Sequence, residues 1–204
     1  MLAEVSVFIT IPSSKRTDFL MDLKISVREI VESAMLIALA VILDLDGLKI
    51  PIGATGGSIS FTIIPLIVLA LRLNFVKSFI FAGVCYGLIA CLKDGYGMHT
   101  YLFEYFFAYG SVSIVSLFKE QIMDETKPLK GILLIVLSIT IHTAIRFIFA
   151  SLSSMVNWGL EFVPALVYNS VYVPLTGLVT LGATLLLYKP ILIVNKKFPI
   201  KSID

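Results

Sequence analysis

The chain has 204 residues, 58% of them hydrophobic and 15% charged, with a mean hydropathy of +0.97, a composition that belongs in a lipid bilayer rather than in water. A net charge of +2 with no arginine-rich arm excludes a nucleic-acid groove. Cys85 and Cys91, six positions apart in one apolar stretch, make neither a disulfide framework nor a metal site, and reduced thiols are expected.

In chain order, residues 1–26 read as a cytoplasmic or peripheral extension. The opening MLAEVSVFITIPSS carries Glu4 where a signal sequence has a basic region, and its apolar run is short. Met21 stands where the first helix would naturally start. Residues 27–190 read as one membrane domain, because a spanning helix takes roughly 20 residues and no room is left for a second domain. Its six apolar segments lie at about 27–45, 58–73, 75–92, 99–118, 130–156 and 164–188. A basic tail, 191–204, follows.

The cations test this scheme, since Lys and Arg collect on the cytoplasmic side of short loops. With six spans, most of them fall on one side, including Arg28, Arg72, Lys77, Lys119 and Lys130, against Lys49 and Lys93 on the other. The expectation is an all-α, six-helix membrane bundle with both termini cytoplasmic, in the cell membrane.

The first helix carries Ala34-x-x-x-Ala38 and the third Gly83-x-x-x-Gly87, spacings that let helices approach closely, within the chain or to another subunit. The fourth opens with MHTYLFEYFFAYG, a carboxylate, Glu104, among aromatics and without a cation. The fifth holds His142 and Arg146 one turn apart on one face. No serine elbow, HExxH motif or acidic metal cluster accompanies this pair, so Arg146 is expected to be tied to carbonyls or an acid inside the bundle. The chain has no GxxxxGK[ST] either, so any ATP hydrolysis belongs to another protein.

Polar and aromatic side chains gather at the outer third: Tyr96, His99, Tyr101, Glu104, Tyr105, Asn157, Trp158, Tyr168, Asn169 and Tyr172. An interfacial aromatic belt accounts for any single tyrosine without a ligand. It accounts less well for Glu104 and Asn169, each a turn inside its helix, where such groups are costly unless they face a cavity or partner.

The stretches ISFTIIPLIVLALRLNFVKSFIFAGVCYGL, FEYFFAYG, RFIFASLSSMVNWG and YNSVYVPLTGLVT resemble, in order and spacing, the S-components of energy-coupling factor (ECF) vitamin transporters, and within them the thiamine-specific ThiT group. The resemblance covers about residues 27–190. It implies a six-helix membrane protein with a vitamin site near the outer face, no catalysis and no cofactor. Its partners would be a transmembrane energising subunit and a pair of ATPase subunits. It also implies ligand-binding roles for Glu104, Tyr105, Trp158 and Asn169, with Tyr96 a looser match and His99, Tyr101 and Tyr172 as neighbours. Ala34 and Ala38 match the stripe that contacts the energising subunit.

The chain departs from the family at two positions: the binding-site histidine falls at Ala150, and the loop-one tryptophan has no counterpart, Trp158 being the only tryptophan. Thiamine is therefore the leading ligand, with hydroxymethylpyrimidine, pyridoxine or riboflavin behind it. A membrane enzyme using His142, Arg146 and Glu104, or a stand-alone carrier, are the rival readings.

Overall fold

The computed structural model describes residues 24–52 and 57–198. Most of the expected N-terminal extension and the last residues of the tail lie outside these. Among the described residues, six helical rods run in chain order: α1 (Val27–Leu43), α2 (Ile63–Arg72), α3 (Phe75–Asp94), α4 (Met98–Ile122), α5 (Pro128–Val156) and α6 (Phe162–Lys197). The last four are long and apolar enough to cross a membrane, whereas α2 is a ten-residue helix. The chain is a membrane protein by that measure.

Two expectations need correction. The bundle is not all-α: β1 (Ile50–Ile52) and β2 (Gly57–Ile59) form an antiparallel hairpin in the first loop, Pro51 opposite Ser58. Ile50, Ile52 and Ile59 are β-branched, and Pro51 sits where an edge strand tolerates it, so the start of the expected 58–73 segment is strand and turn. The last helix does not stop near 188 but continues through Pro190 to Lys197, so part of the expected tail is helical.

α1 starts with a capping box: Ser26 accepts from the Glu29 backbone N–H at 3.2 Å, and the Glu29 carboxylate accepts from the Ser26 N–H at 2.7 Å. The same carboxylate receives Lys77 Nζ at 2.9 Å. One turn on, Glu32 takes Arg72 in a two-pronged contact of 3.0 and 2.9 Å, and Arg72 also donates to Asn195 and to the Phe198 carbonyl. These buried and partly buried pairs tie the start of α1, the α2–α3 turn and the end of α6 together at one end of the bundle. In the nearby α4–α5 turn, the hydroxyl and N–H of Thr126 hold the Asp124 carboxyl below its usual range.

α3 and α4 approach closely at their glycines. A Cβ on Gly83 would stand 2.8 Å from the Phe106 carbonyl oxygen, and one on Gly87 would stand 3.2 Å from that of Tyr105. The GxxxG spacing thus serves packing within the chain. α4 is wound irregularly, with a π stretch at Tyr101–Phe107 and a 3-10 stretch at Ser111–Phe118. Ser111 and Ser116 donate to the carbonyls three residues back, at 2.7 Å each, which satisfies carbonyls along this tighter winding. Glu104 sits in the π stretch, a kind of local rewinding frequent at functional sites.

α6 buries one stripe, Asn169, Val173, Thr176, Thr180, Thr184 and Tyr188, at intervals of three and four residues. Its other faces expose Val163, Val167, Leu178 and Leu186, as a lipid-facing surface does. The buried stripe is the more polar one, the reverse of a helix in water.

Candidate functional site

At the end of the bundle where α1 meets the hairpin, the chain gathers a second cluster of charges. Asp44, buried at the end of α1, accepts from Lys93 through both its backbone carbonyl and its carboxylate, and pairs with Lys49 at 3.1 Å. Asp94 stands 3.2 Å from Lys93 and 3.8 Å from Lys49, and its second oxygen accepts from the Tyr105 hydroxyl at 3.0 Å. The two cations that break the cytoplasmic bias are thus held by two carboxylates, and Asp94 fixes the tyrosine next to Glu104. Sequence reasoning missed this network, although the isolated outer pair Lys49 and Lys93 was its visible sign.

Beside it lies the layer expected to meet ligand. Glu104 is partly buried, and its polar neighbours are Ser153 and Arg146 on α5 and Asp94 on α3. Ser153 in turn accepts from the Asn157 side chain at 2.9 Å. On α6, Asn169 is fully buried, donating to the Ser154 hydroxyl at 2.9 Å and the Ala165 carbonyl at 2.8 Å, while its oxygen accepts from Tyr172 at 2.7 Å. Its amide therefore welds α5 to α6, leaving one lone pair unspent. The Tyr172 ring lies against β2 so tightly that a Cβ on Gly57 would stand 2.8 Å from it. The hairpin thus rests on the same layer of α6 that carries Asn169.

Trp158 and Tyr96 pack edge to face at the rim, with centroids 5.3 Å apart, and both are about half exposed. Gly159, at φ +66, supplies the left-handed turn that follows Trp158.

The expected residues divide accordingly. Glu104 and Tyr172 lie within electrostatic reach of each other, with Asn169 bonded to Tyr172; Tyr96 and Trp158 form the rim pair. Tyr105 is committed to Asp94. Tyr101 turns to α3, donating to the Gly83 carbonyl at 3.2 Å, and His99 is exposed beside Gly97. Ala150, at the position of the family histidine, is buried. Ala34 and Ala38 are exposed on α1 beside Val31, Met35 and Ile42.

Arg146 corrects the expectation made for it. It makes no hydrogen bond among the described residues; its guanidinium lies over the Tyr109 ring, 5.2 Å from the centroid. His142 bonds through Nδ1 to the Ser111 hydroxyl at 2.7 Å. No group of three or more metal-binding side chains occurs among the described residues.

The model of the thiamine transporter protein family matches residues 30–201. No curated protein matches the chain. Among solved structures, ThiT from Listeria monocytogenes is similar with a TM-score of 0.69 and 23% identity, over 80% of this chain and 94% of that one. At that identity the likeness establishes the fold, and the family match rests on the sequence of nearly the whole membrane domain. The chain belongs to the thiamine transporter protein family.

Proposed function

We propose that the protein is the substrate-binding S-component of an ECF-type importer, capturing thiamine at the outer face of the cell membrane. All six rods would lie in the bilayer, the ten-residue α2 reaching only about half-way across it, with both termini cytoplasmic. The observation that carries the reading is Glu104: a partly buried carboxylate between α3, α4 and α5, with no ion pair among the described residues, in a chain of the thiamine transporter family. Such a group in a membrane helix calls for a partner of opposite charge or a donor, and thiamine offers both, an aminopyrimidine N–H and a fixed positive charge.

Trp158 and Tyr96 give that charge an aromatic wall, worth about 0.5 to 2 kcal/mol according to its desolvation. Glu104 accepts from the amino group, Tyr105 and Tyr172 close the sides, and the remaining lone pair of Asn169 faces a donor. His99 and Tyr101 belong to the outer rim. The exposed small-residue face of α1 around Ala34 and Ala38 supplies the contact with the transmembrane energising subunit, which couples to a pair of ATPases. The protein does no chemistry on the vitamin.

Uptake separates this role from that of a stand-alone carrier. In liposomes, labelled thiamine accumulates only when the energising subunit and ATPases are present with ATP, and the protein alone binds but does not transport. Transport by the protein alone would overturn the S-component role.

A further inference from the structure

α1 meets the bundle along a narrow stripe. Its buried residues are Glu29, Ser33, Ile37 and Ala40, about one per turn, and only the last two are apolar. Val27, Val31, Met35, Leu39 and Ile42 on its other faces are exposed. In a bilayer such a helix gains little by hiding apolar side chains, because lipid tails are as apolar as a protein core. So thin an apolar contact leaves α1 free to slide and turn against its neighbours.

Charge at both ends removes that freedom. Near the start of α1, Glu29 receives Lys77 from the first turn of α3 at 2.9 Å, both side chains being buried, and Glu32 takes Arg72 from the end of α2 in its two-pronged contact. At the end of α1, Asp44 receives Lys93 from the last turn of α3. Glu29 and Asp44 are 15 positions apart, and Lys77 and Lys93 are 16 apart. Starts pair with starts and ends with ends, so α1 and α3 run the same way with their charges matched to within about one residue's rise of 1.5 Å. A slip of one turn, about 5.4 Å, would break both ends at once.

The same pairs set the rotation of α1. At about 100° per residue, Ala34 and Ala38 lie about 140° and 180° round the helix from Glu29, and both are exposed. With Glu29 drawn into the bundle, the alanines point out of it. Buried ion pairs add little stability over apolar residues of similar size, and fixing a register is their best attested use.

We propose that the charge pairs at the two ends of α1 fix its register and rotation on α3 and so aim the face of Ala34 and Ala38 at the transmembrane energising subunit. Glu29, Lys77, Glu32 and Arg72 are then positioning residues for docking. The inference rests on the S-component reading above.

The test measures docking and thiamine binding side by side in nanodiscs, for wild type, for Glu29→Gln/Lys77→Met, and for that variant with Glu32→Gln/Arg72→Met added. Both members of a pair are removed together, so no buried charge is left alone, and glutamine at position 29 keeps the capping box. Docking is read as the affinity for the purified energising module, the transmembrane subunit with its ATPases. It is expected to fall in steps, by about threefold in the first variant and about tenfold or more in the second, with thiamine affinity within about twofold of wild type in both. Lys77→Arg, which keeps the pair, docks as wild type does.

Unchanged docking in both variants, or thiamine affinity lost in step with docking, overturns the positioning role. If the second variant does not fold, the first decides alone: docking equal to wild type there overturns it. Wild type that does not dock to the module overturns the S-component reading instead, and Ala34→Trp that docks normally overturns the assignment of the alanine face.

Discussion

Glu104→Gln is expected to weaken thiamine binding by roughly 30- to 1,000-fold while the protein stays folded. A hydrogen bond to a charged group contributes about 1.5 to 3 kcal/mol, and removing one partner of a buried charge pair costs about 2 to 5 kcal/mol. Each 1.4 kcal/mol is about tenfold in affinity, so a loss of about 2 to 4 kcal/mol gives that range. Glutamine keeps the shape and the link toward Ser153, so the fold does not need the charge. Calorimetry with thiamine and with hydroxymethylpyrimidine separates the two contributions: the cation loses both charge attraction and hydrogen-bond strength, whereas the neutral fragment loses only the second. Equal binding of thiamine by wild type and Glu104→Gln would remove the carboxylate from the site.

The second large effect is expected at Ala34. An indole in place of its methyl group projects from the exposed face of α1, which the described part of the chain leaves uncovered. Small residues at four-residue spacing let helices approach closely in lipid, where packing drives association in place of the hydrophobic effect. Ala34→Trp is therefore expected to lower thiamine uptake at least tenfold in cells carrying the whole importer, with the affinity of the purified protein unchanged. Ala38→Trp, one turn on, behaves the same way, while Leu186→Trp on the exposed side of α6 leaves uptake intact. Loss of binding with loss of uptake in Ala34→Trp would mark α1 as internal support for the site.

Helix positions were legible because length and hydropathy in a bilayer constrain the chain strongly: a backbone that leaves water must satisfy its own hydrogen bonds, and the long apolar runs became α3 to α6. The hairpin was not. Its strands are three residues each, too short for an alternating pattern to stand out, and what fixes the second is a contact distant in sequence, Gly57 under the Tyr172 ring. The end of α6 was misjudged because Pro190 reads as a stop, yet a neighbouring helix or rewinding can absorb the missing bond in a membrane helix.

At the site, Glu104 and Asn169 stood out by cost alone, as polar groups in apolar helices. Their partners, Ser153 and Ser154, did not, since serine is common in membrane helices and usually bonds its own backbone, as Ser154 does to the Ala150 carbonyl at 3.0 Å. The Asp44, Lys49, Lys93 and Asp94 network joins residues up to 49 positions apart, a pairing that only the tertiary fold reveals. Tyr101 could not be told from its aromatic neighbours in the sequence: only the π winding of α4 shows that its hydroxyl reaches the Gly83 carbonyl.

Because Trp158 is the sole tryptophan and stands at the rim of the proposed site, the most direct measurement is intrinsic fluorescence of the purified protein during titration with thiamine. Saturable quenching is expected, absent with riboflavin at the same concentration and lost or shifted to far higher thiamine in Glu104→Gln. An unchanged tryptophan signal, with thiamine binding undetected by calorimetry on the same sample, would contradict the account.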